Sequence, residues 1–456
     1  MGTVMWRFSR IFLGTAAIAV LSSCPAGAES LGDALVSAYK TSDLLAQNRA
    51  VLRATDEDAA QAATTLRPVV SWILQSQYSD GTPLGETTTN ALKLNLDWQV
   101  YDFGRSRIGR EAAKESVLAT RQALIGVEQS VLLDAVSAYM DVRKAAQDVQ
   151  NNQTSVRVIG EQLKATQERF DVGEVTRTDV ALAEARLAAA KASLAAAEGS
   201  LNVARASYKA TVGHNSDGRT ALPRRPALPA SLAEAQSIAV RLHPSVIQAQ
   251  HQAKAADLQY ELALAQKRPS LGLNLQVQHD ENGQDEGAGA VQLSQQLYTG
   301  GKRASGERKA LAGRDQARSA LSRSAVLVQE QVARAWSGIE VSRAQIGAID
   351  QQIVAAQSAY DGIKDEAALG ARTTLDVLDA ERELLNAQSG RTQAEASLEV
   401  ANYSLLAAMG LLTVENLKLG IPSYDPEAYY EAVKKAPAIS AQGSKLDKLL
   451  KAIGKQ

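Results

Sequence analysis

A single cysteine, Cys24, is the only thiol in the chain, so no disulfide can form within it. Histidine is equally scarce. His214, His243, His251 and His279 are scattered and show no zinc-ligand spacing. Aromatics make up only 4% of the chain, while Ala-rich stretches with Glu, Lys, Arg and Leu abound. That composition favours long helices over a large compact core. The net charge of −1 gives no bulk attraction to nucleic acid. Phosphate loops, catalytic triad motifs and metal-ligand clusters are all missing from the sequence, so neither catalysis nor a cofactor is expected. Proline is absent from 104–169 and from 301–366.

Long apolar runs are also few. Residues 11–21 form one, preceded by Arg7 and Arg10 and followed by Ala26-Gly27-Ala28. Residues 1–28 therefore read as a secretory signal cleaved after Ala28. Leu21-Ser22-Ser23 before Cys24 also fits a lipidation site, but the small-residue cleavage pattern is fully met after Ala28. Losing two positive charges and no negative one takes the net charge from −1 to about −3. No later run of transmembrane-helix length is expected, so membrane insertion would have to use strands.

What is present is a duplication. Residues 172–191, VGEVTRTDVALAEARLAAAK, return as 369–388, LGARTTLDVLDAERELLNAQ. Gly173, Thr176, Asp179 and Val180 match Gly370, Thr373, Asp376 and Val377. The match extends outward: Ser30-Leu31 to Ser231-Leu232, Arg67-Pro68 to Arg268-Pro269, Tyr101 to Tyr298, and Tyr139 to Trp336. One structural unit is used twice. The first copy is expected at 29–213 and the second at 231–410. A proline-rich linker, 214–230, joins them, and 411–456 has no repeat partner. The end of that tail is basic, with Lys434, Lys435, Lys445, Lys448, Lys451 and Lys455.

Each copy carries a strand pair, expected at about 69–79 and 90–101, then 271–280 and 290–298. Leu92, Leu94, Leu96, Trp98 and Val100 alternate with polar residues, as do Leu271, Leu273, Leu275 and Val277. Period two gives each strand one apolar and one polar face. About ten residues suffices for a tilted strand to span a bilayer. A soluble sheet with one wet face accounts for one such hairpin; two, in an exported chain, point to a barrel. Four strands are too few to close one, so the barrel is shared between subunits.

Helices are expected at about 41–67, 104–169 and 174–212, and again at 242–268, 301–366 and 374–410. The long ones would reach about 100 Å. In the second, Leu321, Val328, Ala335, Ser342, Ile349, Ala356 and Ile363 recur every seventh position. Ala325, Val332, Ile339, Ile346, Ile353 and Tyr360 form a second stripe at coiled-coil spacing. Gly338, Gly347 and Gly362 are expected to permit close packing.

The chain resembles the TolC family of outer-membrane efflux and secretion channels over essentially all of the sequence after residue 28. The repeat, the strand pairs and Leu369-Gly370-x-Arg372-Thr373-x-x-Asp376-Val377-Leu378-Asp379-Ala380 carry the resemblance. It implies a mainly α fold with a membrane β-barrel contribution. A homotrimer pools its strands into one twelve-stranded barrel continuous with a periplasmic α-helical coiled-coil barrel. It also implies a passive conduit, gated at its periplasmic end, that serves efflux or type I secretion. The implied partners are outer-membrane lipid, a periplasmic adaptor (membrane fusion) protein and an inner-membrane ABC or RND-type transporter.

By the same resemblance, Asp376 and Asp379 form carboxylate rings at the entrance, crowded enough to raise one another's pKa. Arg372 latches to Asp179 and Thr178. The family's further latch tyrosine is replaced here by Ala367, so a weaker latch is expected. Gly173, Gly370, Thr176 and Thr373 sit at hairpin tips that meet the adaptor. Read from the residues alone, Thr176-x-x-Asp179 and Thr373-x-x-Asp376 approximate capping boxes, which leaves Asp379 unexplained. A structural coiled-coil stalk or adaptor would account for the helices but not for a strand pair in each half.

Overall fold

The computed structural model describes residues 29–82, 85–216, 221–223, 226–280, 283–435 and Lys448. The signal segment, with Cys24 and Ala28, lies outside the described residues, as does most of the basic tail. The first half runs α1 (Leu31–Thr41), α2 (Asp43–Thr64), β1 (Val69–Thr82), β2 (Gly85–Tyr101), α3 (Arg105–Asp171) and α4 (Arg177–Val212). The second repeats that order: α5 (Leu232–Leu242), α6 (Pro244–Ala265), β3 (Ser270–Asp280), β4 (Asp285–Ser294), α7 (Lys302–Ala368) and α8 (Thr374–Ala408). A short α9 (Pro426–Val433) follows.

The helix expected from about 41 is α2, and the short α1 precedes it across a corner. Ser42 ends α1 and, with its hydroxyl accepting from Leu45 N–H, starts α2. His243 serves the same double purpose between α5 and α6, where Pro244 takes the first helical position and needs no N–H partner. Gly410 packs against this second corner. Its φ of +79° is one that side chains disfavour, and a Cβ there would lie 2.8 Å from the Leu242 carbonyl oxygen.

The four strands form one antiparallel sheet in the order β1-β2-β3-β4. Register places Val70 opposite Leu96, Trp72 opposite Leu94, Leu96 opposite Leu275, and Leu273 opposite Val291. These residues share one face. The other carries Ser71, Lys93, Asn95, Asp97, Asn274, Gln276 and Gln278, with Asn274 donating to Asp97 at 2.5 Å. Among the described residues most of the apolar face is bare: Trp72 is 72% exposed, Leu74 70%, Val291 73% and Leu293 65%. The fourth strand is displaced from its expected span of 290–298. Its ladder ends at Ser270↔Ser294 because Pro269 has no N–H to continue it, and it starts at Asp285, paired with His279. Gln295–Tyr298 therefore leave the sheet, and Tyr298 is fully in the open at 88%.

The two long helices have 67 residues each, about 100 Å of helix. They are not equivalent. α3 packs against α1, α2 and α4 and also against α6 and α8, whereas α7 packs against α5, α6 and α8. The main core accordingly surrounds α3, with Leu132, Val136, Tyr139 and Met140 meeting Leu35, Leu45, Leu52, Tyr208 and Leu405. An 18-residue window of α3 is apolar enough for a membrane span, contrary to the expectation of none, and half of it is buried. Its apolarity serves contacts with helices on several sides. α7 buries a narrow stripe that includes Val328, Val332, Ile339 and Ser342, as its seven-residue spacing predicts. Among the described residues, a Cβ added at Gly338 would lie 3.8 Å from that of Ala401 on α8, whereas one at Gly347 or Gly362 would face open space.

Candidate functional site

At the end of the helices farthest along the chain from the sheet, α3 turns into α4 and α7 turns into α8. Both turns are built alike. Gly173 (φ +82°) and Gly370 (φ +79°) adopt the left-handed conformation. The N–H of Glu174 donates to Arg169 O and that of Ala371 to Glu366 O, each at 2.9 Å. These six-to-one bonds satisfy carbonyls that a helix end would otherwise leave unpaired.

The next helices start with matching caps. Asp179 Oδ2 accepts from Thr176 N–H at 2.9 Å and from its hydroxyl at 2.8 Å, and Thr176 Oγ1 accepts from Asp179 N–H at 3.3 Å. Thr373 and Asp376 repeat the arrangement at the same distances. The Thr backbone N–H and hydroxyl hold both carboxyls below the usual Asp range. Within one protomer Asp376 is thus stabilised as a carboxylate, the opposite of the rise expected from crowding. The cap hydrogen bonds act within one protomer, whereas the expected crowding is between carboxylates of different subunits.

The expected Arg372–Asp179 pair is not formed in the protomer. Arg372 Nε donates to Glu366 Oε2 at 2.8 Å, across its own turn, and Asp179 is engaged by Thr176. Thr178 is exposed on the first turn of α4. Three other contacts join the two hairpins. Arg186 Nη2 on α4 donates to Asp379 Oδ1 on α8 at 2.9 Å. Arg169 Nη1 on α3 donates to the carbonyl of Ala367 at 3.0 Å. The hydroxyls of Thr166 and Thr374 meet at 3.5 Å in a buried position. Ala367, read from sequence as a lost restraint, is 4% exposed and contributes its backbone oxygen instead.

Above these contacts Ile159, Ala183 and Leu378 form a small apolar cluster between the hairpins. Glu381, one turn further along α8, is 8% exposed. Burial drives its pKa up to about 7, only partly offset by the Ser155 hydroxyl. Tyr360 on α7 is raised too, by burial first and then by the nearby Glu381. Among the described residues, no group of His, Cys, Asp and Glu could hold a metal ion.

Arg169, Arg186, Glu366 and Glu381 escaped the sequence reading. For Arg186 a signal existed. The position matching Asp379 in the first copy is Leu182, and the position matching Arg186 in the second is Glu383. Opposite charges placed where the repeat is broken are candidates for a contact between its copies.

Comparison with known proteins decides the family. The sequence model for outer membrane efflux proteins matches residues 34–214 and 236–411. The chain belongs to this family. It is 34% identical over 422 residues to the outer membrane efflux protein BepC of Brucella suis, covering 91% of this chain and 92% of BepC. It is 23% identical over 406 residues to the outer membrane protein TolC of Escherichia coli, covering 80% of each. The outer-membrane channel CmeC of Campylobacter jejuni shares the fold, with a TM-score of 0.74 over 90% of each chain at 14% identity. Family membership places the protein in the outer membrane with a helical periplasmic extension, among channel proteins rather than enzymes.

Proposed function

We propose that three copies of this chain form a passive channel-tunnel that carries solutes from an inner-membrane exporter across the periplasm and outer membrane. The observation that carries this reading is the sheet. It is open at both edges and presents a bare apolar face on one side and a polar face on the other. Lipid covers such a face only if the edges close, and four strands are too few. Three copies supply twelve strands, with the polar face lining the bore.

The helical parts extend the same bore. α7 leaves Val326, Val341 and Val354 exposed, and α4 leaves Leu182 and Val203 exposed, so each protomer offers apolar flanks to its neighbours. The hairpin ends form the entrance. There Asp376 and Asp379 make carboxylate rings that favour cations. In the assembled channel a latch from Arg372 to Asp179 or Thr178 replaces the Arg372–Glu366 bond of the lone protomer and holds the entrance shut. The tips at Gly173, Thr176, Gly370 and Thr373 receive a periplasmic adaptor protein, and an ABC or RND-type transporter supplies the energy.

Reconstitution in planar bilayers tests this reading. Small cation-selective steps are expected, larger for Arg372→Ala and non-selective for Asp376→Ala with Asp379→Ala. A trimeric preparation that inserts but never conducts, even with Arg372 removed, overturns the proposal.

A further inference from the structure

We infer that Arg186 is a selectivity-determining residue that masks the Asp379 carboxylate while the entrance is closed and releases it on opening. The inference rests on the channel reading above. Its starting point is that Asp376 and Asp379, one turn apart on α8, are held in different ways. Asp376 is bound by its own helix cap, a bond that any rigid movement of the hairpin preserves. Asp379 is bound by Arg186, which belongs to the other hairpin.

The consequence is electrostatic. A bridged Asp379 presents an ion pair to the entrance, close to neutral as seen by a passing ion. A freed Asp379 presents a full negative charge, and three copies present three. The pair is suited to this exchange. Both side chains are partly exposed, 36% for Arg186 and 45% for Asp379, so water replaces the lost partner at little cost. A fully buried pair would resist separation, because breaking it would strand a charge in a dry site. Arg372 does not take over the masking: the latch engages it while the entrance is closed, and Glu366 within its own turn once the latch is released.

Opening requires the α7–α8 hairpin to move relative to α3–α4, and Arg186–Asp379 spans that seam beside the Arg169–Ala367 bond. Loss of one exposed bridge shifts a closed–open balance about twofold, so three bridges breaking together shift it about tenfold. The entrance therefore gains negative charge in the step that widens it. Cation preference rises on opening, where a widened bore with constant charge would lose it.

The test measures conductance and reversal potential across a KCl gradient for four reconstituted proteins. Arg186→Gln is expected to open about tenfold more often and to show a higher cation-to-anion ratio than wild type. Asp379→Asn is expected to open as readily with no rise in that ratio, and the double variant to match Asp379→Asn. A purely structural bridge would raise opening equally in Arg186→Gln and Asp379→Asn and leave their ratios the same, which overturns the inference. So does an Arg186→Gln channel that behaves as wild type. In both cases the channel reading survives, because the protein still conducts. Should Arg186→Gln fail to assemble, the exchanged pair Arg186→Asp with Asp379→Arg carries the test. Restored closure with a lowered cation ratio on opening supports the inference; closure with an unchanged ratio rejects it.

Discussion

Arg169 and Ala367 are joined across the two hairpins by a guanidinium-to-carbonyl hydrogen bond of 3.0 Å. A backbone acceptor makes this contact insensitive to the residue at 367 as long as the helix end is intact. Arg169→Ala removes this bond from all three protomers, and at about 1 kcal/mol each the loss shifts the entrance about a hundredfold towards open. Larger or more frequent conductance steps in reconstituted Arg169→Ala are the expected readout, with Ala367→Ser close to wild type.

Glu381 makes the seam between α3 and α8 sensitive to pH. Its pKa is raised from 4.5 to about 7 in the packed state, so packing is favoured by protonation. That stabilisation is complete below about pH 4.5 and is lost as pH rises through about 7, a change of about 3 kcal/mol. Amide hydrogen exchange in the first half of α8 should quicken between pH 5 and pH 8, after correction for the intrinsic rate. Glu381→Gln should remove that dependence and exchange slowly throughout.

The two faces of the sheet should respond oppositely to charge. Leu94 lies on the bare apolar face and is 52% exposed, while Lys93 lies on the polar one. Leu94→Arg is expected to cost about 2–4 kcal/mol in a bilayer, and Lys93→Arg close to nothing. Insertion into lipid vesicles, followed by protease protection, checks this. Equal insertion of the two variants would show that lipid does not cover that face.

Gly410→Ala should destabilise the junction between α8 and the α5–α6 corner. The new Cβ would meet the Leu242 carbonyl oxygen at 2.8 Å in a backbone conformation unfavourable to alanine. A loss of about 1–3 kcal/mol is expected by denaturant unfolding in detergent. Gly173→Ala, at a tip where nothing lies within 4 Å, should lose less, since only the conformational strain applies.

Local periodicity made much of this architecture readable. Alternation through Leu92–Val100 dictates a two-faced strand whatever surrounds it, because successive side chains point to opposite sides. The seven-step stripe of α7 predicts which residues are buried, since 3.6 residues per turn brings those positions to one side. Both Thr-x-x-Asp caps are local too, so they form as their spacing implies.

Tertiary structure decided what the duplication left equal. Glu184 and Glu381 occupy matching positions, yet the first is exposed and the second is buried with a pKa of about 7. Tyr139 and Trp336 also match, but only Tyr139 is fully buried, donating to Glu29 O and Ala221 O at 2.8 Å. The reason is that, among the described residues, α3 packs along its length against helices of both halves of the chain, whereas α7 packs mainly against its own half and touches α3 near its end. A residue's own sequence neighbours fix which way it points along a helix, but how many other helices stand on that side depends on how the two copies are laid together.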